Sequence, residues 1–278
     1  MSLTTKMLLI SSLLFSSAYA NSIDDKVINF EKNRFSKNKR VEIKDLSISL
    51  KKELPLKGWY GFIIDVNAQI ANKNLNAKDI IFSNGEVMAP QLVDIKTGKS
   101  YKDLMTPDLT SIYYSKKRLI AGTDNASDKL VVFSDPLCPF CIEFIPKVIE
   151  YVKEHKDIAL YYYHFPLFQL HPASKTIVRA MIVAKQKGVK DVELKVYKAN
   201  FNKYFEPDEK DVSKILKAFN KVLKTNIKLD EINKKSIDEE VFTDINMGEN
   251  VMVEGTPTIF VNGKQDKTKL EYEMLGKE

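Results

Sequence analysis

Phe133-Ser134-Asp135-Pro136-Leu137-Cys138-Pro139-Phe140-Cys141 carries the only two cysteines of a 278-residue chain, with two residues between them. The apolar run Leu130-Val131-Val132-Phe133 leads into it and predicts a buried strand. The stretch from Ile142 to His155 predicts a helix. Cys138 therefore falls where a strand ends and a helix begins. Backbone N–H groups there have no intrahelical partner, and the helix dipole is positive at that end. Both effects favour a thiolate, the reactive form of a cysteine. Pro139 suits the first helical turn, where a missing N–H costs nothing.

Far downstream, Gly255-Thr256-Pro257-Thr258-Ile259-Phe260-Val261-Asn262-Gly263 is a second anchor. A proline opening a β-branched run marks a strand start, because proline cannot donate to a ladder. Thr256-Pro257 is also a place where a cis bond fits.

Together the two stretches resemble the active-site helix and cis-proline loop of thioredoxin-fold thiol–disulfide oxidoreductases, nearest to the periplasmic DsbC/DsbG disulfide isomerases. Pro146, eight residues past Cys138, matches the proline that kinks that helix. His164-Phe165-Pro166-Leu167 with His171-Pro172-Ala173-Ser174 resembles the junction between a core strand and a helical insert. The resemblance covers roughly residues 119–278 and extends weakly over the part before.

The resemblance implies an α/β fold: a thioredoxin-like domain with a helical insertion, preceded by a small α+β (cystatin-like) dimerisation domain and a helical linker. It implies an enzyme for disulfide isomerisation or reduction on secreted proteins in the periplasm. Alternatives are net oxidation of the DsbA type, and a dimeric holdase with secondary redox activity. Cys138 is the expected nucleophile and forms the mixed disulfide; Cys141 resolves it. Pro139 and Phe140 tune the pair, and no histidine between the cysteines stabilises the thiolate. Thr256 and Pro257 are expected beside the sulfurs, with the Thr256 backbone pairing an extended substrate as an added strand. The implied cofactor set is none beyond a redox-active Cys138–Cys141 disulfide. The implied partners are unfolded or misoxidised secreted proteins, a membrane redox partner of DsbD or DsbB type, and a second copy of the chain. Position 132 is Val, where thioredoxins and DsbA carry a buried acid, so the proton acceptor for Cys141 is unassigned. Asp135 and Glu143 read as capping or surface groups.

Taken in order, residues 1–20 hold one lysine, the apolar stretch Met7 to Phe15 and the small-residue end Ala18-Tyr19-Ala20. That is a secretory leader with a cleavage site before Asn21, and its apolar core is too short to span a membrane. An exported two-cysteine protein can cycle through a disulfide. The chain is long for one small domain and suits two. Its formal charge of +6 is spread, apart from residues 37–40 and 116–118. These read as solvated faces, since no nucleic-acid motif accompanies them.

Residues 21–100 read as the first domain. Ile23, Val27, Phe30 and Arg34 or Phe35 give an amphipathic helix over 22–38. Leu46, Ile48 and Leu50 alternate like a strand, and Trp59 to Ile70 is a longer one. Asn84-Gly85 predicts a type I′ hairpin, and Lys96-Thr97-Gly98-Lys99 another turn. Residues 101–120 read as a linker helix, and Gly122 to Asp128 as a loop opening the domain 121–278. Ile158 to Tyr163 is a second buried strand, giving a β-α-β unit. Helical patterns then fill an insert of about 171–250: Ala173–Lys187, Asp191–Asn202, Asp208–Leu223 and Asp230–Met247. A short helix over Leu270–Leu275 ends the chain.

Two duller readings of the cysteines are weaker. A zinc site lacks a second ligand pair, and His164 and His171 are seven apart. An inert disulfide across one turn would constrain almost nothing. The three histidines read as packing or surface residues.

Overall fold

The computed structural model describes residues 22–38, 40–70 and 73–276. The leader lies outside them. The chain divides into two compact units, Met1–Met105 and Thr106–Glu278.

The first unit opens with helix α1, Ile23–Ser36. Ser22 caps it: its hydroxyl accepts from the Asp25 N–H at 3.1 Å, and the Asp25 carboxylate accepts from the Ser22 N–H at 3.2 Å. These reciprocal bonds satisfy two orphan donors. Four antiparallel strands follow: β1 (Val41–Glu53), β2 (Tyr60–Ile70), β3 (Lys73–Ser83) and β4 (Met88–Ala89), in that spatial order. Val27 of the helix packs with Leu46, Phe62, Ile64, Val66, Ala68 and Ile81 on one sheet face. The period of two places alternate residues there. Phe30, expected on the inner face, is half exposed, and Glu31 is buried in its place.

The turn between β3 and β4 is not the expected type I′. Ser83 pairs with Met88, so residues 84–87 form a four-residue loop. The Asn84 side chain accepts from the Glu86 and Val87 N–H groups at 3.0 and 2.8 Å. That Asx geometry competes with the positive φ that a I′ turn needs at Asn84. The turn at residues 96–99 forms as expected: Asp94 Oδ1 accepts from the Lys96 and Thr97 N–H groups, and Gly98 has a φ of 70°.

The expected linker helix over 101–120 is three short 3-10 turns, Tyr101–Leu104, Ser111–Tyr113 and Lys116–Arg118. Pro107 disfavours helix at the residue before it. Leu109 and Tyr113 instead bury in the core of the second unit, and the Leu109 N–H donates to the Gly263 carbonyl at 2.8 Å. The second unit therefore begins at Thr106, earlier than the expected 121.

Its sheet runs β5-β7-β6-β8-β9, from β5 (Leu119–Ala121), β6 (Asp128–Ser134), β7 (Ile158–His164), β8 (Thr258–Val261) and β9 (Lys264–Asp266). Helix α2, Pro139–Glu154, joins β6 to its parallel neighbour β7, and the other pairings are antiparallel. Strand β5 falls outside the sequence expectations. Gly122 follows it at a φ of 76°, and a Cβ there would come within 1.9 Å of the Ile158 carbonyl, so only glycine fits.

On one face of this sheet, Cys141, Ile145, Val148, Ile149 and Val152 of α2 pack against Leu130, Val132, Leu160, Tyr162 and Ile259. Their spacing along the helix makes one apolar stripe. On the other face, Phe133, Tyr163, Phe165 and Phe260 join Tyr113 and Val253. A third cluster fills the insert, built from α3 (Ser174–Gln186), α4 (Val192–Tyr197), α5 (Val212–Leu223), α6 (Leu229–Ile232) and α7 (Lys235–Asn250). The single helix expected over 230–247 is broken at Asn233-Lys234, and the C-terminal helix is a 3-10 turn, Glu271–Met274.

Candidate active site

Cys138 is the N-cap of α2, with φ −67° and ψ 123°, and Pro139 takes the first helical position. The extended cap conformation turns the chain out of β6 and points the first amides of the helix back at the cap. Both cysteines are free thiols here, Cys138 4% exposed and Cys141 fully buried. Pro139 and Phe140 are exposed, whereas the Cys138 sulfur is tucked beside the Thr256 carbonyl at 3.4 Å.

The two sulfurs differ sharply in acidity. A hydrogen bond from the Cys141 thiol, aided by the Cys141 and Phe140 N–H groups and the Thr256 hydroxyl, lowers the Cys138 pKa to about 5 from an ordinary 9.0. These donors outweigh the cost of burial. Burial, and the bond given to Cys138, push the Cys141 thiol strongly upward. One sulfur is a ready nucleophile at neutral pH and the other keeps its proton.

Thr256-Pro257 is cis, as the sequence reading expected. The Thr256 hydroxyl is buried, has no other hydrogen-bond partner, and lowers the pKa of both sulfurs. The structure thus brings Cys138, Cys141 and Thr256 together, with Pro139 and Phe140 at the rim. Phe140 is 72% exposed, an apolar ring held out beside the reactive sulfur.

Asp135 is fully buried, against the reading of a capping or surface group. Its carboxylate accepts from the Leu137 N–H at 2.8 Å within the loop before Cys138, and the helix itself has no side-chain cap bond. It also accepts from the Leu167 N–H at 2.7 Å, from the Ser174 hydroxyl at 2.5 Å, and binds His171 Nδ1 at 3.0 Å. One carboxylate thereby ties the loop before Cys138 to the start of the insert. A buried carboxylate is tolerable only when its lone pairs are filled in this way. Glu143 is a surface group, as expected, paired with Lys147.

Of the histidines, His155 stacks on Tyr151, His171 serves Asp135, and His164 is buried with Nδ1 unpartnered. Val132 is fully buried in the cluster that holds both cysteines, so no acid stands at that strand position. Three hydroxyls that sequence reasoning missed lie behind Cys141. The Ser134 hydroxyl favours the Cys141 thiolate, against the larger effect of burial. Tyr197 donates to Ser134 Oγ at 2.7 Å, and Tyr162 and Tyr197 share a bond of 2.7 Å. Tyr197 lies 63 residues from Ser134 in the chain, and nothing local in the sequence links them.

A family model described as Thioredoxin matches residues 114–277. No curated protein matches the chain significantly. Among solved structures, Proteus mirabilis ScsC in a transitional conformation is similar at 17% identity, covering 59% of this chain and 72% of that one, with a TM-score of 0.45. Oxidised BdbD from Bacillus subtilis is similar at 20% identity, covering 60% and 91%, with a TM-score of 0.45. Pseudomonas aeruginosa DsbA2 is similar at 22% identity, covering 56% and 91%, with a TM-score of 0.42.

Proposed function

The chain belongs to the thioredoxin family, and on that premise we propose that Cys138 and Cys141 carry out thiol–disulfide exchange on exported proteins, as a periplasmic isomerase or reductase of DsbC/DsbG type. The observation that carries this is the split acidity of one buried pair at a helix N-terminus. The Cys138 thiolate attacks one sulfur of a substrate disulfide. A mixed disulfide forms, and the other substrate sulfur leaves as a thiolate. That thiolate can attack a different disulfide in the same substrate, and the thiolate so released then attacks the mixed disulfide, closing a new substrate disulfide and freeing Cys138 with no net redox change. Alternatively, Cys141 attacks Cys138 Sγ. The Cys138–Cys141 disulfide then forms and the substrate departs with two electrons.

Assembly and partners follow the same reading. β1 is an edge strand of thirteen residues, and an edge of that length pairs readily with another chain. We take a homodimer through residues 21–100, serving misoxidised secreted proteins, with a membrane partner of DsbD type returning electrons to the pair. The leader at 1–20 supports a periplasmic setting.

One observation favours a second reading. A depressed Cys138 pKa stabilises the reduced form and so makes the disulfide a stronger oxidant. That suits a net oxidase recharged by a partner of DsbB type. The decisive test is acid trapping of the pair in living cells followed by thiol labelling. A mostly reduced pair supports the isomerase or reductase; a mostly oxidised pair overturns it in favour of the oxidase. Sedimentation of the mature protein at micromolar concentration tests the dimer, and a monomer there removes it.

A further inference from the structure

Three residues before the nucleophile, Asp135 holds the chain through both its backbone and its side chain. Its main-chain carbonyl accepts from the Cys138 N–H at 3.2 Å. Its carboxylate Oδ1 accepts from the Leu137 N–H at 2.8 Å. Both amides that lead into α2 therefore point back at Asp135, and residues 135–138 form a closed turn. That turn sets the backbone from which the Cys138 side chain leaves. It thereby sets the place of the sulfur, 3.4 Å from the Thr256 carbonyl at the N-cap of α2.

The Asp135 carboxylate is in turn oriented from outside the loop. Oδ1 also accepts from the Ser174 hydroxyl at 2.5 Å, and Oδ2 accepts from the Leu167 N–H at 2.7 Å. His171 Nδ1 lies 3.0 Å from Oδ2; facing a carboxylate, that nitrogen carries the ring proton and donates. These three donors fall within residues 167–174, which are bonded among themselves. The His171 N–H donates to the Leu167 carbonyl at 2.8 Å, and the Ser174 N–H to the His171 carbonyl at 3.0 Å. The Ala173 N–H donates to the Pro207 carbonyl at 3.1 Å, farther into the insert. Packing divides at the same place. Leu137 buries in the cluster of the insert, and its neighbour Cys138 in the cluster of α2 and the sheet. The peptide bond between them is a seam between two cores, and a shift of the insert would reach the nucleophile directly. A buried network with its partners satisfied makes such a seam rigid. The Asp135 side chain is fully buried and that of His171 is 14% exposed, so the ring can be exchanged with the smaller disturbance of packing.

We propose that His171, acting through Asp135, is a positioning residue for Cys138, so that the helical insert, and not α2 alone, sets the reactivity of the nucleophile. The proposal rests on the thiol–disulfide reading above. No bond forms or breaks at His171. Its ring N–H holds Oδ2, Oδ1 holds the Leu137 amide, and the turn holds the Cys138 sulfur toward the Phe140 and Cys141 N–H groups that favour its thiolate. A nucleophile keeps its reactive geometry only when the groups behind it are themselves locked by hydrogen bonds. Without the ring donor, a buried carboxylate oxygen loses a partner. The carboxylate turns to recover one, and the turn that presents the sulfur follows it.

The test follows iodoacetamide labelling of Cys138 against pH in the reduced full-length protein, read by mass spectrometry, with circular dichroism to show that each variant is folded. His171→Phe keeps a ring and removes the donor. It is expected to slow labelling about fivefold at pH 5 and to leave it nearly unchanged at pH 8, because the thiolate forms at higher pH once the sulfur is displaced. His171→Asn, whose side-chain amide can donate from the place of Nδ1, is expected to restore the unaltered profile. Where His171→Phe fails to fold, Ser174→Ala removes a donor to Oδ1 from the same segment and carries the same test. An unaltered profile in folded His171→Phe or Ser174→Ala overturns the positioning role. Equal slowing at pH 5 and pH 8 overturns it too, since that reports access to the sulfur and not its acidity. So does a His171→Asn profile that matches His171→Phe, because the hydrogen bond would then not be the cause. Failure of the unaltered protein to exchange with a cystine-bridged peptide fails the thiol–disulfide reading instead, and the positioning role falls with it.

Discussion

Strands β1 and β7 belong to different units and bury their residues by different rules. Along β1, inward residues such as Leu46 and Ile48 alternate with exposed ones, and α1 covers only one face. All seven residues of β7, Ile158–His164, are buried. Parallel pairing with β6 through α2 leaves both faces of that strand covered. The difference shows where chemistry can be housed. A half-open sheet can hold Glu31 only by pairing it with Arg34, itself 45% exposed. The two-faced sheet can enclose Cys141 and a run of hydroxyls, and burial there pushes the Cys141, Tyr162 and Tyr197 groups toward their protonated forms.

The sharpest way to break this contrast is to cut equivalent volumes from the two sheets. Leu130→Ala, at a site with no exposure, should cost about 2–5 kcal/mol of stability. Ile48→Ala, half-buried on β1, should cost under about 1.5 kcal/mol, since part of its surface is already in water. Trp59, the single tryptophan, lies in the first unit and reports it by fluorescence. Near-ultraviolet dichroism of the tyrosines reports mainly the second. Equal costs in denaturant titrations would mean the sheets are not different in kind.

Next comes the buried carboxylate. Asp135→Ala strands four donors and should cost roughly 3 kcal/mol, while also changing the Cys138 alkylation rate. A loss below about 1 kcal/mol in the same titration would mean the loop rearranges freely and Asp135 anchors nothing.

A smaller effect is set by acidity. With its pKa lowered to about 5, Cys138 is a thiolate above that pH and is protonated as pH falls through it. Iodoacetamide labelling of Cys138 at pH 4 should therefore run at about one tenth of its rate at pH 7, a difference of about 1.4 kcal/mol. Labelling of Cys141 should be far slower throughout. A midpoint near the ordinary thiol value would show that the helix end does not activate the sulfur. The smallest effect is expected at Lys147→Ala, which removes an exposed pair with Glu143 on α2. That pair is worth at most about 0.5 kcal/mol, and the labelling rate of Cys138 should not move.

The parts legible in the sequence were those set by local pattern. The cysteine spacing, the apolar run before it and Pro139 after it located β6, α2 and the cap between them. Thr256-Pro257 was legible because proline restricts its own neighbourhood. Strand β5 was not, since three residues carry no period. Neither was the broken linker, where Pro107 and the pull of Leu109 and Tyr113 into a distant core overrode a helix-like spacing. Asp135 was misread because its partners Leu167, His171 and Ser174 lie 32 to 39 residues away. The hydroxyls behind Cys141 stayed hidden for the same reason: each is an ordinary buried serine or tyrosine until the fold brings them into line.

The bond between Cys138 and the Thr256 carbonyl spans 118 residues of chain, and that interval has a meaning in time. A ribosome adds roughly 5–20 residues each second, so the dithiol is synthesised on the order of ten seconds before the loop that flanks it. Throughout that interval Cys138 and Cys141 belong to a nascent chain whose own β8 has not been made. A cysteine pair thus emerges unguarded, free to exchange with any disulfide that stands nearby. The strand that completes the site is also the one that ends this exposure, which ties the onset of activity to the arrival of the last tenth of the chain.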